Sequence, residues 1–161
     1  SDLTNKQLKS TAYNSLIKAV LSYASTVWDP YQVKDINRLE QVQRRAARFV
    51  CNDYDRTSSV TSMLQDLQWP SLLDLRREQR LLFFHKTVYN LVAVPVNSIL
   101  QQNSRKLRTS HDKAYKLLTS NTDQYRYSFF PKTVMDWNAL PQDSINCVDP
   151  MTFRSALKGV V

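Results

Sequence analysis

The sequence predicts a mainly α protein, and three observations carry that reading. Apolar residues recur at three- and four-residue spacing through most of residues 4–92. Gly159 is the only glycine in 161 residues, which removes the usual material of hairpin turns, phosphate loops and dinucleotide-binding turns. Asn, Asp, Ser and Pro supply the breaks instead, where helices would start and stop. A hydrophobic content of 42% is enough for a core and argues against disorder. The expected arrangement is a helical bundle over residues 1–94, then a smaller, basic, mixed C-terminal part over 95–161.

The elements follow in order. Residues 4–28 read as a helix whose apolar face is Leu8, Ala12, Leu16, Ala19, Val20, Tyr23 and Val27, capped by Thr4 or Asn5 and stopped by Pro30. Residues 33–51 read as a second helix, with Leu39, Val42, Ala46, Phe49 and Val50 on one face and Gln41, Arg44, Arg45 and Arg48 on the other. The Asn52-Asp53-Tyr54-Asp55 run reads as a loop, and a short helix over 59–67 starts from Ser58 or Ser59. After the Trp69-Pro70 break, Ser71 and Asp74 open a third long helix to about Val92. Its second half, from Leu81 to Tyr89, is apolar nearly all round, which predicts the central helix of the core with His85 packed inside it.

From Pro95 to Thr122 the composition turns polar and basic. Lys116–Thr119 and Tyr125–Phe130 are β-permissive and could pair as short extended segments, with Tyr125, Tyr127 and Phe129 on one side. Pro131 opens a short helix over 131–139, and Asp149 with Pro150 caps a last one that Gly159 follows. Trp28, Trp69 and Trp137 each lie near a proline at a helix end and read as core anchors.

Enzymatic chemistry finds little support. The carboxylates are scattered. Asp53 and Asp55 beside Arg56 read as turn residues, and Cys51 at a helix end reads as a small core residue. His111, in a basic polar stretch, reads as solvated. Cys51, Cys147, His85 and His111 show none of the zinc-ligand spacings, so no metal or other cofactor is expected in this segment. Two distant cysteines suggest a reducing compartment, and no apolar run is long enough for a membrane span. The start at Ser1, without an initiator methionine, leads us to expect a segment of a longer protein.

The charge is informative. The net charge is +8, and residues 71–132 carry +7 of it. Arg44, Arg45 and Arg48 form one stripe; Arg76, Arg77 and Arg80 form a second. Arg105, Lys106, Arg108, Lys113, Lys116, Arg126 and Lys132 add a third, diffuse group. Arginine suits bidentate phosphate contact, and cationic surfaces gain affinity for polyanions by counterion release. Solvated faces are the plainer alternative, with Arg44 pairing Glu40 and Arg77 pairing Asp74 one helical turn away. The aromatic run Tyr125–Phe130 could stack on bases or line the core.

Five blocks then stand in a familiar order. They are Tyr13-Asn14-Ser15-Leu16-Ile17 with Leu21-Ser22-Tyr23-Ala24-Ser25-Thr26-Val27-Trp28-Asp29-Pro30-Tyr31; Leu39-Glu40-Gln41-Val42-Gln43-Arg44-Arg45-Ala46-Ala47-Arg48-Phe49; and Leu67-Gln68-Trp69-Pro70-Ser71-Leu72 through Arg76-Arg77. Ser128-Phe129-Phe130-Pro131-Lys132-Thr133-Val134 with Trp137-Asn138-Ala139-Leu140-Pro141 is the fourth, and Phe153-Arg154-Ser155-Ala156-Leu157 the fifth. Together they resemble the region after the polymerase core in non-LTR retrotransposon reverse transcriptases of the jockey and chicken-repeat type, over nearly the whole chain. The resemblance implies a thumb-like bundle and C-terminal region that hold an RNA or RNA–DNA duplex beside an upstream polymerase domain, in an intracellular ribonucleoprotein of nucleus and cytoplasm. It departs from the family at Ala19, where proline is frequent, at Gln68, where glycine is common, and at Asn121 and Lys132, where arginines are. The family's catalytic Ala-Asp-Asp motif lies upstream, and no Asp-Asp dipeptide occurs here, so the segment is expected to be non-catalytic. The alternative is a retained helical interaction or oligomerisation module.

Overall fold

The computed structural model describes residues 2–23, 25–104 and 111–159. The protein is mainly α-helical. Among the described residues the only β pairing is one antiparallel bridge between Gln102 and Tyr115. No helix among them is long and apolar enough to cross a membrane. The chain divides into two compact units, Ser1–Arg76 and Arg77–Val161. The packing boundary therefore falls well before the change of composition at residue 95.

The first unit opens with α1 (Asp2–Ala12), which continues through a π-helical segment (Tyr13–Lys18) into the short α2 (Ala19–Ser22). The helix stops at Ser22, sooner than the sequence suggests, because Tyr23 turns extended. α3 (Val33–Cys51) has the predicted bounds, and α4 (Val60–Asp66) starts at Ser59, whose side chain accepts from Ser62 N–H. The core is Tyr13, Ala47, Val50, Met63 and Trp69, with Tyr13 stacked on Trp69 at 4.2 Å between centroids. Gln43 is fully buried beside it. Its amide donates to the Pro70 carbonyl at 2.7 Å and its oxygen faces the Tyr13 hydroxyl at 3.4 Å. Burial, with the Glu40 charge adding to it, pushes the Tyr13 phenol up to about 12.

This packing corrects the expected faces. Leu8, Leu16, Val20, Tyr23 and Val27 are exposed rather than buried, and Tyr13 is the residue the first helix inserts. On α3 the buried line is Gln43, Ala47 and Val50, while Val42 and Phe49 are exposed. A buried glutamine is tolerable because Pro70 and Tyr13 satisfy its amide. Trp28 is not a core anchor either: it is partly exposed and lies against the Arg76 guanidinium.

α5 (Leu72–Val88) is capped as predicted: Asp74 N–H donates to the Ser71 hydroxyl at 3.0 Å, which in turn donates to the Asp74 carboxylate at 2.6 Å. Its Leu81, Phe84, His85 and Thr87 are buried, so its second half is the core helix of the second unit. Around it lie α6 (Val96–Ile99), α7 (Asp123–Arg126), α8 (Phe129–Asn138), α9 (Gln142–Ile145) and α10 (Pro150–Leu157). Trp137 is fully buried against Phe84 and Phe153, and its indole donates to the Lys113 carbonyl at 2.9 Å. Asn138 grips Tyr115 by its amide and carbonyl together, at 3.0 and 2.7 Å. The Trp137–Pro141 block thus reads as packing chemistry.

Two expectations fail here. Tyr125–Phe130 is not extended: Thr122 caps α7 through Tyr125 N–H, and Phe129 and Phe130 pack on the core from the start of α8. His111 is buried rather than solvated, its Nε2 donating to the Trp137 carbonyl at 2.9 Å. His85 is buried as predicted, stacked on Phe153 at 4.2 Å with Nε2 on the Cys147 carbonyl at 2.7 Å.

Three helices end in the same left-handed cap. Asn52, Gln68 and Asn90 have φ of 52°, 55° and 56°. The following residue's N–H reaches back five positions each time, Asp53 to Arg48, Trp69 to Leu64 and Leu91 to Lys86, at 3.1, 2.9 and 2.8 Å. Asparagine tolerates this region; glutamine gains nothing from it. Gln68→Gly is expected to raise stability by about 1 kcal/mol, read as a higher denaturant midpoint at unchanged slope. A fall would show that the Gln68 side chain supports the turn.

Burial pushes the His85 imidazole below its ordinary value, against the opposite pull of the Cys147 carbonyl. The unfolded chain therefore takes up this proton first, and His85's contribution to stability is full above pH of about 6.5 and lost as pH falls below it. Thermal midpoints at pH 7.5 and 5 should drop less in His85→Gln than in the parent. Equal drops would assign the acid sensitivity to other groups.

Candidate nucleic-acid interface

At about 100° per residue, Lys34, Asn37, Arg38, Gln41, Arg44, Arg45 and Arg48 share an arc of about 120° on α3. No carboxylate lies within it. Asp35 and Glu40 flank it, and neither neutralises the central arginines. Glu40 accepts from Leu73 N–H at 3.0 Å, so the pairing with Arg44 expected from the i,i+4 spacing does not form. Asp35 meets Arg38 at 3.4 Å. Lys34, Arg44 and Arg45 are exposed, and none has an ion pair among the described residues.

Arg48 has another task. Its guanidinium donates to the Asp55 carbonyl at 2.7 Å and faces those of Asp53 and Ser58 at 3.4 Å each. It holds the loop between α3 and α4. The Asp55 carboxylate faces back into that loop, on Thr57 N–H at 2.9 Å and the Thr57 hydroxyl, and these bonds hold it below the usual carboxylate range. Lys34 and Arg38 escaped the sequence reading. The signal was there: the Arg44–Arg45–Arg48 arc continues back along α3 without meeting an acid.

The second stripe does not face solvent as expected. Arg76 is 2% exposed; it donates to the Leu21 carbonyl at 2.9 Å, lies 3.5 Å from the Asp29 carboxylate and 4.5 Å from the Trp28 ring. Arg80 is 3% exposed and bonded to Asp136. Arg77 faces the same carboxylate at 3.5 Å, not Asp74, which is used by the α5 cap. Charges taken out of water are held by partners, so these three arginines build the fold and have little left for a phosphate.

The third group is dispersed. Arg105, Lys106 and Arg108 lie outside the described residues. Lys113 sits 3.7 Å above the Tyr89 ring, and Lys116 donates to Gln101 at 3.1 Å. Lys132 is half-buried. Arg126 is exposed beside Tyr127, with Tyr125 also exposed. That leaves a small cation–aromatic patch in the second unit, at helix α7 rather than on a strand.

No group of three or more His, Cys, Asp or Glu side chains that could hold a metal ion is found among the described residues. No family model matches this chain, and neither a curated protein nor a solved structure is similar to it.

The split between the stripes is measurable. Asp136→Asn leaves Arg80 buried beside a neutral group, and a loss of about 3 kcal/mol is expected, since Asp136 keeps some solvent contact. Arg44→Ala should change stability by less than about 0.5 kcal/mol. Urea unfolding of the two variants checks both; equal losses would contradict the division into structural and surface arginines.

Proposed function

We propose that the chain is a non-catalytic, nucleic-acid-gripping segment of a non-LTR retrotransposon reverse transcriptase, binding element RNA or a template–primer duplex beside an upstream polymerase domain. Two things support this reading. The five blocks of resemblance run in order along the chain. The α3 arc presents Lys34, Arg38, Arg44 and Arg45 to solvent with no acid among them. The arc carries the proposal, because exposed Lys34, Arg44 and Arg45, none with a carboxylate partner among the described residues, stand on one rigid helix, and such a row is what a regularly spaced phosphate backbone binds.

The role of each group follows. Arg44 and Arg45 contact phosphates, with Lys34 extending the track by nearly three turns of helix. Arg48 keeps the adjoining loop in place. Exposed Phe49, with Lys9 4.6 Å from its ring centroid, and the Tyr125–Arg126–Tyr127 patch offer faces on which unpaired bases could stack. An intracellular ribonucleoprotein, nuclear and cytoplasmic, is the setting that goes with this reading.

Affinity for RNA and for an RNA–DNA duplex should fall steeply with salt. Arg44→Glu/Arg45→Glu should weaken binding at least tenfold and flatten the log–log salt slope by about 2. Arg77→Ala should leave the slope unchanged. A flat salt dependence in the parent, or unchanged affinity in the double variant, would remove the assignment and favour an interaction module.

A further inference from the structure

The face that the first helix leaves uncovered has an order of its own. Leu8, Ala12, Leu16 and Val20 follow each other at four-residue steps, and all four are exposed. In an uninterrupted α-helix each such step drifts by about 40° around the axis. Here residues Tyr13–Lys18 are π-helical, and the wider turn reduces the drift over the steps from Ala12 to Val20. The result is a straight apolar ridge, flanked by exposed Ile17 and Tyr23. Leu16 and Val20 are 68% and 69% exposed, and no charged residue stands on the ridge line.

We propose that this ridge is the contact of a symmetric dimer, in which a second copy of the chain packs its own ridge antiparallel across it. The order of side chains fits a two-fold axis midway between Ala12 and Leu16. Ala12 then lies opposite the partner copy's Leu16, and Leu8 opposite its Val20. Small meets large at the centre, and the same patch serves both copies, as an isologous contact requires. A parallel pairing would set Leu16 against itself and leave a gap at Ala12. The antiparallel arrangement also opposes the two helix dipoles favourably.

The area is sufficient. At about 100 Å² for each exposed aliphatic side chain, the ridge and its flanks offer on the order of 600 Å² per copy. Pairing two copies buries about 1,200 Å², the lower end of specific interfaces. A continuous exposed patch of this size is at the upper limit of what monomeric proteins show. With no charge on the contact, the net +8 of each copy is kept off the interface.

Sedimentation equilibrium of the full chain, from low micromolar to several hundred micromolar, tests the contact. A concentration-dependent dimer, insensitive to salt, is expected. Leu16→Glu should weaken it more than tenfold while leaving helix content unchanged. Ala12→Leu separates shape from stickiness: it adds apolar surface yet fills the slot for Leu16, so about tenfold weaker association is expected. The swap Ala12→Leu/Leu16→Ala should restore the parent affinity to within about threefold. A chain that stays monomeric throughout, a dimer that survives Leu16→Glu, or tighter association of Ala12→Leu would each overturn the proposal.

Discussion

Both units depend on arginines buried along α5. A guanidinium removed from water must be met by charge and by oriented oxygen, because the interior cannot replace its hydration otherwise. Arg76 finds the Leu21 carbonyl inside α2 and the Asp29 carboxylate and Trp28 face in the segment that follows it. The arginine ties the end of that helix to the residues after it. Arg80 and Arg77 converge on Asp136 and so fix α8 along α5. Arg154 pairs with Glu78 and does the same for α10. Once α8 and α10 are placed, Trp137 and Phe153 close on Phe84 and His85 to complete the second core.

This use of charge changes what the composition means. A net charge of +8 suggests a broadly cationic surface. Pairing removes one of the two arginine stripes from that surface, and among the described residues α3 keeps a row of exposed cations. There Glu40 is turned to a backbone N–H and Asp55 into its own loop, while Asp35 meets only Arg38. Arg48 is spent on carbonyl oxygens rather than carboxylates. Its positive charge is therefore retained beside Arg44 and Arg45, even though its geometry is fixed from within.

What the sequence made legible was local. Ser59, Ser71, Asp149 and Pro150 mark helix starts by chemistry that needs only neighbours three residues away, and the helices begin there. The apolar run around Phe84 admits only burial, and Trp137 proves central for the same reason. Distant partners decided the rest. Nothing near Arg80 in sequence announces Asp136, 56 residues later. Nothing near His111 announces the Trp137 carbonyl. The alternation of Tyr125, Tyr127 and Phe129 lost to the Thr122 cap, whose bond to Tyr125 N–H sets a helical turn before any strand partner is available.

The first helix shows why a stripe and a core are different things. Its pattern correctly marks an apolar face, but periodicity cannot say which face the chain covers. Tyr13 settles that question, since its ring stacks on Trp69 and its hydroxyl faces Gln43, which Pro70 holds from the other side. These groups fix Tyr13 where the helix opens into its π segment, so a wider turn and a buried aromatic coincide. The same widening aligns Leu8, Ala12, Leu16 and Val20 on the far side. The turn that carries the inner packing at Tyr13 thereby also shapes the outer surface.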